Sequence, residues 1–372
     1  MPGANPLHTR LCEAYGVEYP IVAFAHTKDV IAAVSRAGGI GVLGAVGLEP
    51  EEIRSAIRWI RERVGDRPFG IDLLLPASFV EGNAEDLEAQ IPDGHRAFVA
   101  GLQREGNIPA PKPLDKPPTT GIGPDMLRRA RAQLDVVFEE RVPIFASALG
   151  SPAFLLERGR ETGTKIWGLI GLPRQARREI EAGVDVVIAA GSDSGGHSGS
   201  IGTFSLVPEV VKLARGSHTL VLAAGGVTTG AHVAAALALG ADGVWCGTIW
   251  QATNESETEP FQRDQLLRAS AEDAVQSRAS TGKPVRQIRS KWSEAWRQPG
   301  APEPLPMPLQ GMLVADIQRA IKDHKIEEWQ GVPAGQGVGQ ITIVKHASQV
   351  VLDMAEEALG TLERLRVEPV EA

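Results

Sequence analysis

The chain has 372 residues, 43% of them apolar, and 38 basic against 46 acidic side chains give a net charge of -8. That length suits one large α/β domain or two smaller ones with a sizeable core, and the acidic balance argues against a nucleic-acid partner, which needs a basic face. Cys12 and Cys246 are the only cysteines, without CxxC or Cys/His ligand spacing; with no apolar run near the roughly 20 residues of a membrane span and no leader-like start, the expectation is a cytoplasmic protein with reduced thiols, no metal and no membrane contact.

Along the chain, short apolar, β-branched runs alternate with amphipathic stretches, the pattern of βα units around a parallel sheet buried on both faces. Strands are predicted at Pro20–Phe24, Ile40–Gly44, Phe69–Leu75, Val142–Ala148, Lys165–Ile170, Val184–Ala190, Thr219–Ala224 and Gly243–Gly247. Helices are predicted between them at Asp29–Ala37, Pro50–Val64, Pro124–Glu140, Pro152–Arg158, Pro173–Ala182, Leu206–Ala214 and Thr229–Leu239, several opening with proline where its missing N–H costs nothing. About eight units is the number that closes a (β/α)8 TIM barrel. A six-strand doubly wound sheet is the alternative.

Two segments break this rhythm. Residues 76–123 include IPAPKPLDKPPTTGIGP, too rich in proline and glycine for a regular element and too long for an ordinary connection. They are read as an insertion over the C-terminal mouth of the barrel. Residues 253–333 are polar and helical in places, interrupted by QPGAPEPLPMPLQ, and are read as a small α-rich subdomain. The barrel would then comprise residues 1–252 and 334–372, ending in a helix from about Ser348 to Arg366.

The site is predicted at strand ends. AAGGVTTG, Ala223–Gly230, and GVWCGT, Gly243–Thr248, follow the last two strands, whose loops commonly hold a phosphate in this architecture. Tight turns alone would also explain Gly225, Gly226 and Gly247. No GxGxxG fingerprint is present, so the ligand is expected to be a mononucleotide or a sugar phosphate. GSDSGGHSGS delivers His197 to the same mouth on a flexible, uncluttered loop, where a neutral imidazole could take, give or share a proton. His26, after the first strand, is the second candidate; the other histidines read as structural. Asp193, Ser194 and His197 stand too close on one loop for a hydrolase triad, and no GxSxG elbow is present.

GSDSGGHSG, AAGGVTTGAHVAAALALGADGVWCGT and PAGQGVGQI, together with AAVSRAGGIGVLGA and FGIDLLLP, resemble the nitronate monooxygenase family. That resemblance implies an FMN-dependent (β/α)8 barrel, with FMN contacts at Asp72, Ala190, Gly195, Gly226, Trp245, Cys246, Gly247 and Thr248. Gly225 and Gly226 with Gly247 and Thr248 would hold the phosphate, and His197 matches the active-site histidine. The family usually has asparagine at Asp72 and glutamine at Ala190, and VAFAHTKD replaces a methionine turn, placing Phe24 and His26 near the flavin ring. A carboxylate at Asp72 would accept but not donate. Alkyl nitronates with O2, giving a carbonyl compound and nitrite, are the implied reactants. An NAD(P)H-dependent enoyl-thioester reductase on the same barrel and an FMN-binding barrel without turnover are the alternatives; a homo-oligomer stays open.

Overall fold

The computed structural model describes residues 5–74, 84–113, 124–148 and 150–365. Eight parallel strands close a barrel: β1 (Ile21–Ala25), β2 (Ile40–Gly44), β3 (Phe69–Leu74), β4 (Ile144–Ala148), β5 (Lys165–Ile170), β6 (Val186–Ala190), β8 (Leu220–Ala224) and β9 (Gly243–Cys246). β9 pairs back onto β1, with Val22 beside Trp245, so the sheet has no free edge and the doubly wound alternative is ruled out. The three remaining strands, β7 (Gly196–His197), β10 (Ala274–Ser277) and β11 (Val285–Ile288), form a separate antiparallel sheet.

Successive strand residues point to opposite faces. Val22, Ile188 and Leu222 therefore fill the barrel interior, while Ala23, Val187 and Val221 pack outward beneath the helices. Three aromatics fill much of the inside: Phe24 stacks on Trp245 at 5.5 Å, and Trp167 lies 6.4 Å from the same indole. Trp167 is fully buried and donates its Nε1–H to the Tyr15 hydroxyl at 2.7 Å. The helices Pro50–Val64 and Pro173–Ala182 have the predicted bounds, each with proline in its first turn. The Glu49 amide donates a capping bond to the Glu52 carboxylate at 2.7 Å.

Residues 84–113 of the predicted insertion are largely helical, with helices at Ala84–Glu88 and Asp93–Glu105. Val99 and Leu102 share an apolar cluster with Trp292, Trp296, Ile317 and Trp329. This stretch thus packs with residues of the 253–333 segment, and His95 Nε2 reaches the Glu303 carbonyl at 2.9 Å. The proline-rich stretch 114–123 lies outside the described residues. The 253–333 segment also holds the β10–β11 ribbon, which its polar composition did not predict. Among the described residues no helix is long and apolar enough to cross a membrane, and no cluster of His, Cys, Asp and Glu is arranged to hold a metal.

Tyr15→Phe leaves the buried Trp167 N–H without a partner. It should cost about 1–3 kcal/mol in urea unfolding. A change below about 0.5 kcal/mol would show that water substitutes for the hydroxyl.

Candidate active site

Beyond β8 the chain turns through Gly225 and Gly226 at φ 105° and 74°, a region that favours glycine. The amides of Gly225, Gly226 and Val227 donate to no group among the described residues. A Cβ on Gly225 would stand 2.7 Å from Ser194 Oγ and 2.6 Å from Thr203 Oγ1. Ser194 Oγ is buried and has no hydrogen-bond partner. Gly225, Gly226, Asp193, Thr203 and Gln336 line a cavity of about 320 Å³. Unused amides and an orphaned hydroxyl at a barrel mouth are the donors an anionic oxygen takes. The sequence brought up Ser194 only as a member of a discounted hydrolase triad, because its buried, unpartnered hydroxyl shows only once its neighbours are known.

The PAGQGVGQI segment closes over these loops. The Gly335 amide donates to Thr248 Oγ1 at 2.9 Å, the Gln336 amide to the Asp193 carbonyl at 2.9 Å, and Thr228 Oγ1 to the Gly337 carbonyl at 3.1 Å. Gly195 has no side chain because Ala334 and Gly335 would stand 2.8 Å from its Cβ. Its small size therefore serves this backbone contact. A Cβ on Gly337 would collide with the Gly226 carbonyl.

His197 is not on a free loop. Gly196 and His197 form β7, pairing antiparallel with Arg286 and Val285 of β11. His197 Nδ1 lies 3.2 Å from the Pro284 carbonyl, which can only accept, so Nδ1 carries the proton and Nε2 a free lone pair. Partial burial, aided by the nearby Lys283 charge, lowers the His197 pKa, and the imidazole is neutral at pH 7. Arg286, also unforeseen, is buried and donates its Nε–H to the Ser192 carbonyl at 2.8 Å and an Nη–H to the Ala274 carbonyl. One guanidinium thereby ties the histidine loop to the ribbon of the 253–333 segment.

The other predicted residues are distributed less simply. Asp72, Ala190 and Trp245 are buried and share the strand parity that faces the barrel interior. Burial alone raises the Asp72 pKa well above the carboxylate range, which favours the neutral acid, a form that can donate as well as accept. Cys246 has the opposite parity: its thiol is sealed in the core between barrel and helices, leaving only its backbone for a ligand. Gly247 leads into the short helical turn Thr248–Gln251. His26 follows Phe24, meets its ring edge-on at 5.1 Å, and holds the Gly44 carbonyl through Nδ1 at 2.9 Å. It lines a different cavity, with Leu43, Trp59 and Glu257, so the structure does not bring His26 and Gly225 to one pocket.

The nitronate monooxygenase family profile matches residues 8–357. The chain belongs to that family. Similar proteins include Rv1533 of Mycobacterium tuberculosis, which carries a monooxygenase name and is 43% identical over 97% of this chain and 99% of its own. A Staphylococcus aureus protein with a nitronate monooxygenase name is 27% identical over 88% of this chain and 91% of its own. Solved structures that superpose include a nitroalkane oxidase from Streptomyces ansochromogenes, TM-score 0.77 at 27% identity, covering 96% of this chain and 99% of that one. FabK from Thermotoga maritima superposes with TM-score 0.74 at 29% identity, covering 96% and 98%. The nitronate monooxygenase family member described here is accordingly an oxidoreductase on a TIM barrel.

The pairing of β7 with β11 fixes a tautomer that can be read directly. Imidazole nitrogen NMR should find His197 as the Nδ1–H form, titrating below the ordinary value of about 6.5. Because the unfolded chain gains this proton first, folding weakens as pH falls through that range. An Nε2–H tautomer, or a midpoint at or above about 6.5, would contradict the geometry.

Proposed function

We propose that the protein is an FMN-dependent oxidoreductase that oxidises small nitroalkanes or their alkyl nitronates with O2, releasing nitrite and a carbonyl compound. The observation that carries the FMN reading is the set of unused donors at the barrel mouth: the Gly225, Gly226 and Val227 amides and the buried Ser194 hydroxyl suit a phosphate group. Thr248 Oγ1 accepts from the Gly335 amide, which leaves its O–H to donate to the same group. Bound flavin supplies the electron transfer, which no side chain of the chain can perform.

The residues set the proton chemistry. His197 spends its Nδ1–H on Pro284, so the neutral ring offers only a lone pair at Nε2. It can take the α-proton of a neutral nitroalkane and, once cationic, hold the resulting nitronate oxygens with the same N–H. Of the two roles open to this histidine, proton removal is the one its tautomer supports without a prior protonation. The Pro284 carbonyl steadies the cation through the Nδ1–H, and the Ser192–Arg286 bond holds the loop that carries the ring.

A second reading has its own support. The superposition on FabK favours a reductase fed by NADH or NADPH equally well. Purified protein should be yellow and should release nitrite under air from both a nitroalkane and its preformed nitronate. His197→Asn should lower kcat/KM on the neutral nitroalkane by roughly 10²–10⁴-fold and spare turnover of the nitronate to within about tenfold. Absence of nitrite from either substrate, with anaerobic bleaching of the flavin by NADH or NADPH, would replace this reading with the reductase.

A further inference from the structure

Asp72 is an ionisable side chain with no visible reason to be inside the barrel. It stands at the C-terminal end of β3, between Gly44 of β2 and Ala146 of β4 in register. Its side chain has the interior parity of Val42 and Ala146, and only 6% of the residue is exposed. No hydrogen bond or neighbouring charge among the described residues compensates it. β2 and β4 present no ionisable side chain. The helices Pro50–Val64 and Pro124–Glu139 lie on the outer side of the barrel wall. Among the described residues His26 is the one titratable group at this end of the interior, and its Nδ1–H is committed to the Gly44 carbonyl. Tyr15 is bonded to Trp167 beside the helix Arg10–Tyr15 that precedes β1, and Cys12 lies on that same helix.

A carboxylate placed here would leave its negative charge in an apolar interior, where an unpaired ion is strongly disfavoured. A protonated acid costs far less and still carries one O–H, which finds no acceptor among the described residues. The upper interior beside it is built of small side chains, Ala146, Ala190 and Ala224, at the same ends of the strands as the phosphate-type donors of Gly225 and Ser194.

We infer that Asp72 works as a neutral carboxylic acid whose O–H donates a hydrogen bond to an acceptor atom of the flavin ring system, making cofactor binding depend on one proton held by this residue. The inference rests on the flavin reading above. An ionised Asp72 could only accept, so it would meet an acceptor atom with repulsion, and each ligand bound would require one proton taken up beforehand. Asparagine keeps an N–H donor at the same place and has no proton to lose. The difference between aspartate and asparagine is therefore a difference in pH dependence, more than in shape.

The test is an equilibrium titration of deflavinated protein with FMN, read by quenching of flavin fluorescence between about pH 7 and pH 9.5, for wild type and Asp72→Asn. Wild-type affinity should become about tenfold weaker per pH unit once Asp72 ionises, and Asp72→Asn affinity should stay level over the same range. Infrared spectra of the FMN complex at pH 7 should contain a carboxylic-acid C=O band that Asp72→Asn removes. Level wild-type affinity across the range, or an equal decline in Asp72→Asn, would overturn the inference while leaving FMN binding intact. FMN uptake by neither protein at any pH would overturn the flavin reading, and this inference with it.

Discussion

Backbone touches backbone where residues 334–337 meet the loops after β6, β8 and β9, and the rest of the site depends on that contact. Gly195 approaches Ala334 and Gly335, Gly337 approaches Gly226, and Gly335 reaches Thr248. Glycine stands on both sides because a Cβ at Gly195, Gly335 or Gly337 would clash with backbone of the opposite segment. Three loops from different strands are thereby gathered by one distant segment. Catalytic loops on a barrel are free to vary only while something else fixes their relation to each other; here that something is a stretch some 90 residues downstream of β9. The β10–β11 ribbon acts alongside it, with the Ile288 amide bonded to the Val332 carbonyl at 2.8 Å just before the segment begins.

Electrostatically, the barrel interior is quiet, and the histidine loop carries one carboxylate, Asp193, near the Arg286 guanidinium. Burial lowers the His197 pKa and raises that of Asp72, so it favours the neutral form of each. Arg286 carries the one buried guanidinium near the loop, and its bonds are spent on main-chain carbonyls. A phosphate would then meet amide and hydroxyl donors beside the Asp193 carboxylate, which lines the same cavity and accepts from the Thr203 amide. The large aromatics Phe24, Trp167 and Trp245 fill the interior, and alanines occupy the strand ends above. That gradient of side-chain size is how a packed barrel can carry a ligand at one end without becoming a pore.

Much of this was legible in the residues. Buried parallel strands read as continuous apolar runs, so β2 and β5 begin and end where the pattern puts them. Pro50 and Pro173 mark their helices because the first turn tolerates a missing N–H. The turn after β8 is recognisable because Gly225 and Gly226 both sit at positive φ, a region that favours glycine. What escaped depends on distance along the chain. β7 is two residues long and exists only through its pairing with β11, nearly 90 residues later, so His197 looked free. Arg286 reads as an ordinary polar strand residue, and Ser194 as one more serine in a small-residue loop. Helix Asp93–Glu105 was overshadowed by the prolines that follow it, although Val99 and Leu102 carry its apolar face. At Gly195 the missing side chain makes room for the backbone of Ala334 and Gly335, neighbours that lie nearly 140 residues away in sequence.

The most direct measurement of the account is the flavin-to-protein ratio of Gly337→Ala, read from visible and ultraviolet absorbance, beside its far-ultraviolet circular dichroism. One methyl group at Gly337 collides with the Gly226 carbonyl, so the segment must lift from the phosphate loop while the barrel strands stay paired. The account predicts unchanged circular dichroism with most of the flavin lost, and recovery when FMN is supplied in large excess. Full flavin occupancy in Gly337→Ala, equal to that of the wild type, would contradict the claim that this backbone contact builds the site.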